Sequence, residues 1–199
     1  MDVYISDITG KIYSLSNRSK ILFATLTCDI LYPHYVAFQN QTNWGNDRPL
    51  LKGIGLLYKY VINSNSFFPN DIKQLISEIE RVTPDTEDFE NPLTSFALNA
   101  CTAVINSLQF LVDQDTKSVI NVVTYARDTV DLFIYLKNDL DNVETTETSI
   151  YNDPYMIRER TRQFELINIL KINDWEELPL HYIEKLSRQE EIIDISILN

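Results

Sequence analysis

Apolar residues recur at intervals of three and four positions through most of this 199-residue chain, which contains only four glycines. This spacing places side chains on one face of an α-helix, whereas a half-buried strand would alternate strictly. Few glycines also leave few positions for tight hairpin turns. The pattern predicts an all-α fold, a bundle of about seven to eight helices. Because no repeat and no Pro/Gly/Ser-rich linker divides the chain, residues 1–199 are predicted to form a single helical domain.

Capping residues and prolines predict where the helices begin and end. Ser16 or Asn17 would cap a helix over 17–31, and Pro33 is expected to stop it because proline lacks a backbone donor. Further helix starts are predicted at Asn46 or Asp47, Pro69-Asn70, Asn91-Pro92, Asp115, Asp153-Pro154 and Pro179. The helix after Asn91-Pro92 carries a continuous apolar stripe and is predicted to be central.

Glycines make two helical segments less certain from pattern alone. Residues 3–15 have amphipathic helical spacing, but a short hairpin around Thr9-Gly10 is a competing interpretation. Gly53 and Gly55 would weaken the helix that follows Asp47 unless another backbone approaches closely. Close helix packing is therefore predicted at both glycines.

The helix from Asp153-Pro154 to Lys171 is predicted to be amphipathic. Its predicted inward residues are Ile157, Phe164, Ile167 and Leu170. Its predicted outward residues are Arg158, Glu159, Arg160, Arg162 and Glu165. The arginines would then form a solvated, ion-paired face.

Two segments are predicted to lie outside the helices. Residues 138–153 contain no basic residue and few apolar ones, which is typical of an exposed, mobile acidic linker. The C-terminal tail, 190–199, is rich in isoleucine, and 192–199 alternates like a strand. This indicates a docked tail or a swapped edge.

The chain is strongly acidic, with a formal net charge of −12 and a pI near 4.5. Such a charge repels nucleic acids and anionic lipid surfaces and attracts a basic protein. The predicted partner is therefore a basic protein, with no nucleic acid and no membrane. Acidity that serves only solubility is the other interpretation, and a homo-oligomer is left open.

The N-terminus, MDVYISD, lacks the basic start of a secretory signal, and no uncharged apolar run approaches the roughly 18 residues that span a bilayer. Cys28 and Cys101 each lie in an apolar helical pattern, which is typical of free thiols in a reducing compartment. A buried disulfide or a reactive thiol is the alternative. We therefore expect a cytoplasmic protein.

No motif in the sequence defines a reaction. A Walker-type run and Gly-x-Gly-x-x-Gly are both absent, and the cysteines and histidines have no ligand-like spacing. No cofactor, metal site or catalytic residue is predicted, and the protein is expected not to be an enzyme. His34 and His181 are interpreted as a loop and a surface histidine, and Asp128 and Asp131 as ion-pair partners of Arg127.

The stretch 31-LYPHYVAFQNQTNWGNDRPLL-51 has two interpretations. In one, its aromatic residues plug a loop into the core and Gly45 permits a turn. In the other, its aromatic and amide side chains form a partner surface flanked by the acidic loop 84–92. The candidate partner-binding residues are Tyr35, Phe38, Trp44, Asp85, Glu87, Asp88 and Glu90.

Two blocks, 22–58 and 84–108, resemble the YjaG-like bacterial family, domain of unknown function family 416. The matching features are Cys28 in a helix that ends at Tyr32-Pro33, Tyr35, Phe38, Gln41-Thr42, Trp44-Gly45, Asp85, Asp88-Phe89 and Ala100-Cys101. The resemblance departs at the two chain ends, at Thr9-Gly10 and in the isoleucine-rich tail. It implies an all-α fold and no established activity. Since Cys28 and Cys101 fall in the two blocks, their helices are predicted to pack together.

These observations favour a non-enzymatic interaction protein. Its most concrete form is an immunity-type protein that neutralises a basic bacterial toxin, and a bacterial signalling partner is the second form. The alternative is an enzyme with a carboxylate-based site, for which the candidate residues are Asp85, Asp88, Asp128, Asp131 and His34.

Overall fold

The computed structural model describes residues 3–62, 68–140, 143–172 and 191–198. Within these ranges the chain forms helices and no strand, so the predicted all-α, single-domain fold is confirmed. The α-helices are α1 (Val3–Tyr13), α2 (Asn17–Thr42), α3 (Arg48–Ile62), α4 (Pro69–Glu80), α5 (Leu93–Asp113), α6 (Thr116–Leu140), α7 (Glu147–Asn152) and α8 (Pro154–Ile172). A 3-10 helix, Ile195–Leu198, follows near the C-terminus.

Helices α2 and α5 form the most extensive helix pair, and α5 also packs against α3, α4 and α6. The prediction that α5 is central is therefore confirmed. Cys28 on α2 lies near α5, with its Sγ 3.2 Å from Ser107 Oγ, and Cys101 lies on α5 itself. The predicted packing of the two cysteine-bearing helices is thus confirmed. Both thiols are free and buried, and burial raises the pKa of each to about 12.

By length and hydropathy alone, α2 and α5 are each able to cross a membrane. Core helices of soluble proteins pass the same test. Here 72% of the apolar window of α2 and 50% of that of α5 are buried inside the fold. Their composition is accounted for by their central position, so it is a weak indication of a membrane span.

Helix α2 passes through Pro33, so the predicted stop at this residue is wrong. Proline has no N–H, which leaves the Asp29 carbonyl without its usual helical donor. The helix continues because the face beyond Pro33 is buried, and Tyr35 and Phe38 have no exposed surface. Tertiary packing outweighs the local preference. The helix ends instead at Thr42, and Asn43, with a φ of 54°, forms a left-handed cap after it.

Helix α1 runs through Thr9-Gly10, so the competing hairpin interpretation is wrong. Tyr4, Ile8 and Ile12 are buried along one face of α1, and this burial stabilises the helix. Gly10 is exposed, and a side chain at this position would meet no other residue. The glycine therefore weakens α1 without breaking it.

The two glycines of α3 have different surroundings. A Cβ at Gly53 would lie 2.7 Å from Val104 on α5 and 3.2 Å from Ile79 on α4, so the predicted close packing is confirmed there. A Cβ at Gly55 would have no atom within 4 Å, so the prediction is wrong for Gly55.

Most predicted helix starts have the expected cap. Ser16 accepts from the Ser19 N–H at 3.1 Å. Four later side chains accept from a backbone N–H two residues on: Asn46 (Arg48), Asn91 (Leu93), Asp115 (Lys117) and Asp153 (Tyr155). These bonds satisfy donors that the first helical turn leaves without partners.

The predicted linker, 138–153, is exposed for the most part but is not without structure. Its start belongs to α6, and residues 147–152 form α7. Thr146 and Ser149 form a capping box that satisfies backbone donors of this short helix. Ile150 packs against the core, which gives α7 an apolar anchor.

The predicted orientation of α8 is wrong at three positions. Ile157, expected inside, is 42% exposed. Glu159, expected outside, has no exposed surface, and the side chain of Arg162 is only 9% exposed. The buried face of α8 is made by Met156, Glu159, Gln163, Leu166, Ile167 and Leu170. Glu159 and Arg162 are buried together as an ion pair. A pattern of apolar residues alone does not predict buried charges of this kind.

The end of the chain docks on the bundle rather than forming a strand. Ile192 and Ile193 are buried in the core, and residues 195–198 are 3-10 helical. Arg158 of α8 donates to the carbonyl oxygens of Glu191 at 2.8 Å and Ile192 at 3.0 Å. The helix predicted after Pro179, with His181, lies outside the described residues.

Candidate interaction surface

Three connections between helices lie toward one end of the bundle. Because α2 and α5 are antiparallel, the α2–α3 turn, 43–47, lies beside the α4–α5 loop, 81–92. Helices α5 and α6 are also antiparallel, since Asn99 near the start of α5 donates to Thr129 in the second half of α6. The segment 143–153 after α6 therefore reaches the same end. We call these three connections the acidic end.

The acidic end has a large excess of negative charge. Its acidic residues are Asp47, Asp85, Glu87, Asp88, Glu90, Glu144, Glu147 and Asp153, and its only basic residue is Arg81. Asp47 accepts a hydrogen bond from Tyr32, and Asp153 is paired with Lys137 at 2.9 Å. The other carboxylates are exposed and form no ion pair with any residue in the described ranges. Their charge is therefore directed to solvent.

An aromatic cluster joins the turn to the acidic loop. The rings of Phe38 and Phe89 are 5.1 Å apart and nearly perpendicular, and Trp44 packs on both at 5.9 and 5.2 Å. Edge-to-face contacts of this kind stabilise a fixed arrangement. Phe89 lies between Asp88 and Glu90 in the loop, so its anchoring places these carboxylates near Trp44. The tryptophan itself remains 36% exposed.

The hydroxyl of Tyr35 lies between the turn and the loop. It accepts from the Asn46 N–H at 3.1 Å and donates to the Val82 carbonyl at 2.8 Å. Gly45, with φ of 93°, passes so close that a Cβ would lie 2.5 Å from this oxygen. The sequence prediction that Gly45 permits a turn is confirmed. Burial raises the pKa of Tyr35 to about 12, so the hydroxyl keeps its proton at neutral pH.

A second contact fastens the loop at the start of α5. Asn91 donates to Gln41 at 2.9 Å while its own side-chain oxygen accepts from the Leu93 N–H. Within the loop, Asp85 accepts from the Glu87 N–H at 2.9 Å. Amide and acidic side chains therefore hold both the interior of the loop and its end at α5.

The candidate residues from the sequence separate into buried and exposed sets. Tyr35 and Phe38 have no exposed surface and lie on a helix rather than in a loop, so neither touches a partner in this conformation. Trp44 is partly exposed. Asp85, Glu87, Asp88 and Glu90 are exposed. Of these candidates, only Trp44 and the four carboxylates are accessible at the surface.

The residues considered for an enzymatic site have different surroundings. His34 is buried beside Phe96, its Nδ1 has no hydrogen-bond partner, and burial lowers its pKa to about 4. Asp128 and Asp131 lie on α6, where Arg127 pairs with both at 2.7 and 3.5 Å. Asp85 and Asp88 are exposed on the α4–α5 loop and form no ion pair with any described residue. Among the described residues, no group of three or more His, Cys, Asp and Glu is placed to hold a metal ion.

Sequence reasoning missed a buried polar cluster on α8, made by Glu159, Arg162 and Gln163. Glu159 accepts from Arg162 at 2.6 and 2.7 Å and from Gln163 at 2.6 Å. Burial opposes the charge on Arg162, but the Glu159 carboxylate outweighs it and the pKa of Arg162 is raised. The signal that could have revealed this cluster is the spacing i, i+3, i+4, which places all three side chains on one helix face.

Comparison of the sequence and the fold with known proteins identifies the family. Residues 7–197 match the family model described as a protein of unknown function, DUF416. The crystal structure of a DUF416 family protein from Shewanella baltica OS155 is similar, with a TM-score of 0.75 and 19% identity, over 89% of this chain and 90% of that one. At this identity the likeness shows the fold alone. Among curated proteins, none matches. The resemblance seen in the two sequence blocks is confirmed, and the chain belongs to the DUF416 family of proteins of unknown function.

Proposed function

We propose that this protein is a non-enzymatic interaction module whose acidic end binds a basic protein. One observation carries the proposal. The fold brings the loop with Asp85, Glu87, Asp88 and Glu90 against a fixed, partly exposed Trp44, and none of these carboxylates is ion-paired within the described chain.

The chemistry of this surface suits a cationic partner. Unpaired carboxylates attract Lys and Arg side chains over about 10 Å at moderate salt, which accelerates encounter. An exposed tryptophan supplies apolar area and a ring face that a cation can stack on. Segment 143–153 adds Glu144 and Glu147 at the same end, so the field extends beyond a single loop.

In its most specific form, the partner is a basic bacterial toxin and this chain is an immunity-type protein that covers the cationic site of the toxin. An acidic surface that carries an aromatic anchor is suited to that task. A basic signalling protein would use the same surface. A cytoplasmic location, and the lack of nucleic-acid and membrane partners, are parts of the same proposal.

The test is co-expression with the neighbouring genes, followed by purification at low and moderate salt and mass spectrometry. A basic protein should co-purify in a stoichiometric amount at low salt. Neutralising the loop, with Asp85→Asn, Glu87→Gln, Asp88→Asn and Glu90→Gln, should abolish this complex because its electrostatic attraction is lost.

The matched control removes the same charge elsewhere on the surface. Asp7→Asn, Asp71→Asn, Asp113→Asn and Glu165→Gln neutralise exposed residues that lie outside the acidic end. This variant should retain the partner. If both variants lose the partner equally, net charge alone decides binding, and the proposed surface is wrong.

A further inference from the structure

The turn and the loop that carry the proposed surface share one buried hydroxyl. Tyr35 Oη accepts from Asn46 in the α2–α3 turn and donates to Val82 in the α4–α5 loop. A hydroxyl has one proton to donate, and the short bond to Val82, at 2.8 Å, uses it. One oxygen therefore joins two segments that are far apart in sequence.

The surroundings of this hydroxyl make the bond consequential. The ring of Tyr35 is fully buried and packs against Phe38, with 6.4 Å between centroids. Water competes less for a hydroxyl on a buried ring, and the loss of this hydroxyl leaves the Asn46 N–H and the Val82 carbonyl, which are part-buried, without this partner. The bond from Asn91 to Gln41 also joins α2 to the loop, but it is exposed.

The backbone of the turn is shaped around the same oxygen. Gly45 adopts a φ of 93°, a conformation that favours glycine, and leaves no room for a Cβ beside the hydroxyl. The next ring along the turn is Trp44, and the next ring along the loop is Phe89, which contact each other. The hydroxyl thus joins the two segments that carry this aromatic contact.

We infer that Tyr35 is a positioning residue: its hydroxyl holds the α2–α3 turn and the α4–α5 loop together, so that Trp44 and the loop carboxylates form one rigid binding surface. The binding role of this surface rests on the proposed function. Its rigidity rests on the hydrogen bonds of Tyr35. Tyr35 itself has no exposed surface and acts only through the two segments.

The test is Tyr35→Phe, which keeps the ring and removes the oxygen. Hydrogen exchange of the Asn46 amide, and of peptides covering 43–47 and 81–92, should accelerate about tenfold because the hydrogen bonds that join the turn and the loop are lost. A deca-arginine peptide, used as a basic probe at low salt, should bind several-fold more weakly because the surface is no longer fixed in advance.

Two controls separate positioning from general stability. Ile72→Val trims a buried apolar residue of α4, and it should lower global stability without accelerating exchange selectively in the two segments. Tyr32→Phe removes a bond to Asp47, so it should loosen the turn but not the loop.

The possible results distinguish a failure of the positioning role of Tyr35 from a failure of the proposed binding function. If exchange in 43–47 and 81–92 is unchanged in Tyr35→Phe, or rises no more than in Ile72→Val, the positioning role is wrong. Faster exchange with unchanged peptide affinity also overturns it, because the surface then does not depend on the hydroxyl. If the wild-type protein does not bind the peptide, the proposed function fails, while the exchange data still decide whether Tyr35 holds the segments.

Discussion

The α2–α5 interface and the inward face of α8 are both buried, but different forces hold them. The buried residues of α2 and α5 are largely apolar, and Leu26 on α2 and Ala100 on α5 are among them. On α8, Glu159, Arg162 and Gln163 lie among apolar neighbours and bind one another. The first region is stabilised by the area it removes from water, and the second by matching each charge to a partner.

The difference shows that polar side chains can be buried in this fold when they form hydrogen bonds or ion pairs with one another. The α8 cluster is not fully matched, since Arg162 Nη1 and Gln163 Oε1 have no hydrogen-bond partner within the described residues. Incompletely satisfied buried groups lower stability. We therefore expect α8 to be the more sensitive region when one partner is removed, and the more tolerant when the whole pair is replaced.

Glu159→Ala should produce the largest effect, a loss of about 3–5 kcal/mol in the free energy of unfolding, because it leaves the Arg162 charge buried without its partner. Urea denaturation measures it. Glu165→Gln changes an exposed residue of the same helix and should alter stability by less than about 0.5 kcal/mol. A loss below about 1 kcal/mol for Glu159→Ala would mean that water reaches the cluster and that the two regions differ less than we infer.

Leu26→Ala should lower the free energy of unfolding by about 3 kcal/mol, since Leu26 has no exposed surface and its removal leaves a cavity at the centre of the core. Leu51→Ala, at a residue that is 48% exposed on α3, should cost much less. Equal losses in the same urea experiment would contradict a closely packed apolar core around α2.

His34, the buried titratable ring beside Phe96 of α5, makes the apolar interface sensitive to acid. Its pKa is about 4 in the fold and about 6.5 when unfolded, so the unfolded chain binds more protons between these values. Its contribution to stability is fully present above pH 6.5 and is lost as pH falls toward 4, by about 3 kcal/mol in total. Denaturation midpoints across this range should show the decline.

His34→Leu provides the comparison for this pH series. It removes the titrating ring while leaving all carboxylates in place, so the decline between pH 6.5 and 4 should become shallower. An identical slope in both proteins would show that other groups cause the acid sensitivity.

The smallest effect is expected for the double change Glu159→Leu with Arg162→Leu. Replacing both members of a buried ion pair by apolar side chains is often neutral or stabilising, so stability should lie within about 1 kcal/mol of the wild type or above it. The double variant should therefore be much more stable than Glu159→Ala alone. A loss as large as that of the single variant would show that Gln163 and the surrounding packing depend on the pair.

Local sequence patterns predicted much of this fold. The apolar spacing of three and four located the helices, and residues such as Asn91 and Asp115 marked helix starts because their side chains satisfy free backbone donors. The continuation of α2 through Pro33 could not be read in the same way. It depends on the burial of Tyr35 and Phe38 against other helices, which no local pattern contains.

The candidate surface was predictable only in its parts. Trp44 and the acidic loop stood out as sequence features, but the antiparallel arrangement that brings segment 143–153 to the same end is a property of topology. Phe89 as an anchor, and Tyr35 as a buried hydroxyl between two segments, needed distances between residues far apart in the chain.

The reactivity of the two core cysteines can report local unfolding of the helices that carry them. With pKa values of about 12 and no access to solvent, Cys28 and Cys101 expose almost no thiolate to an alkylating reagent while α2 and α5 are packed. Each thiol becomes reactive when its helix separates from the core. The rate of alkylation under native conditions therefore measures how often the central helix pair opens, without any added label.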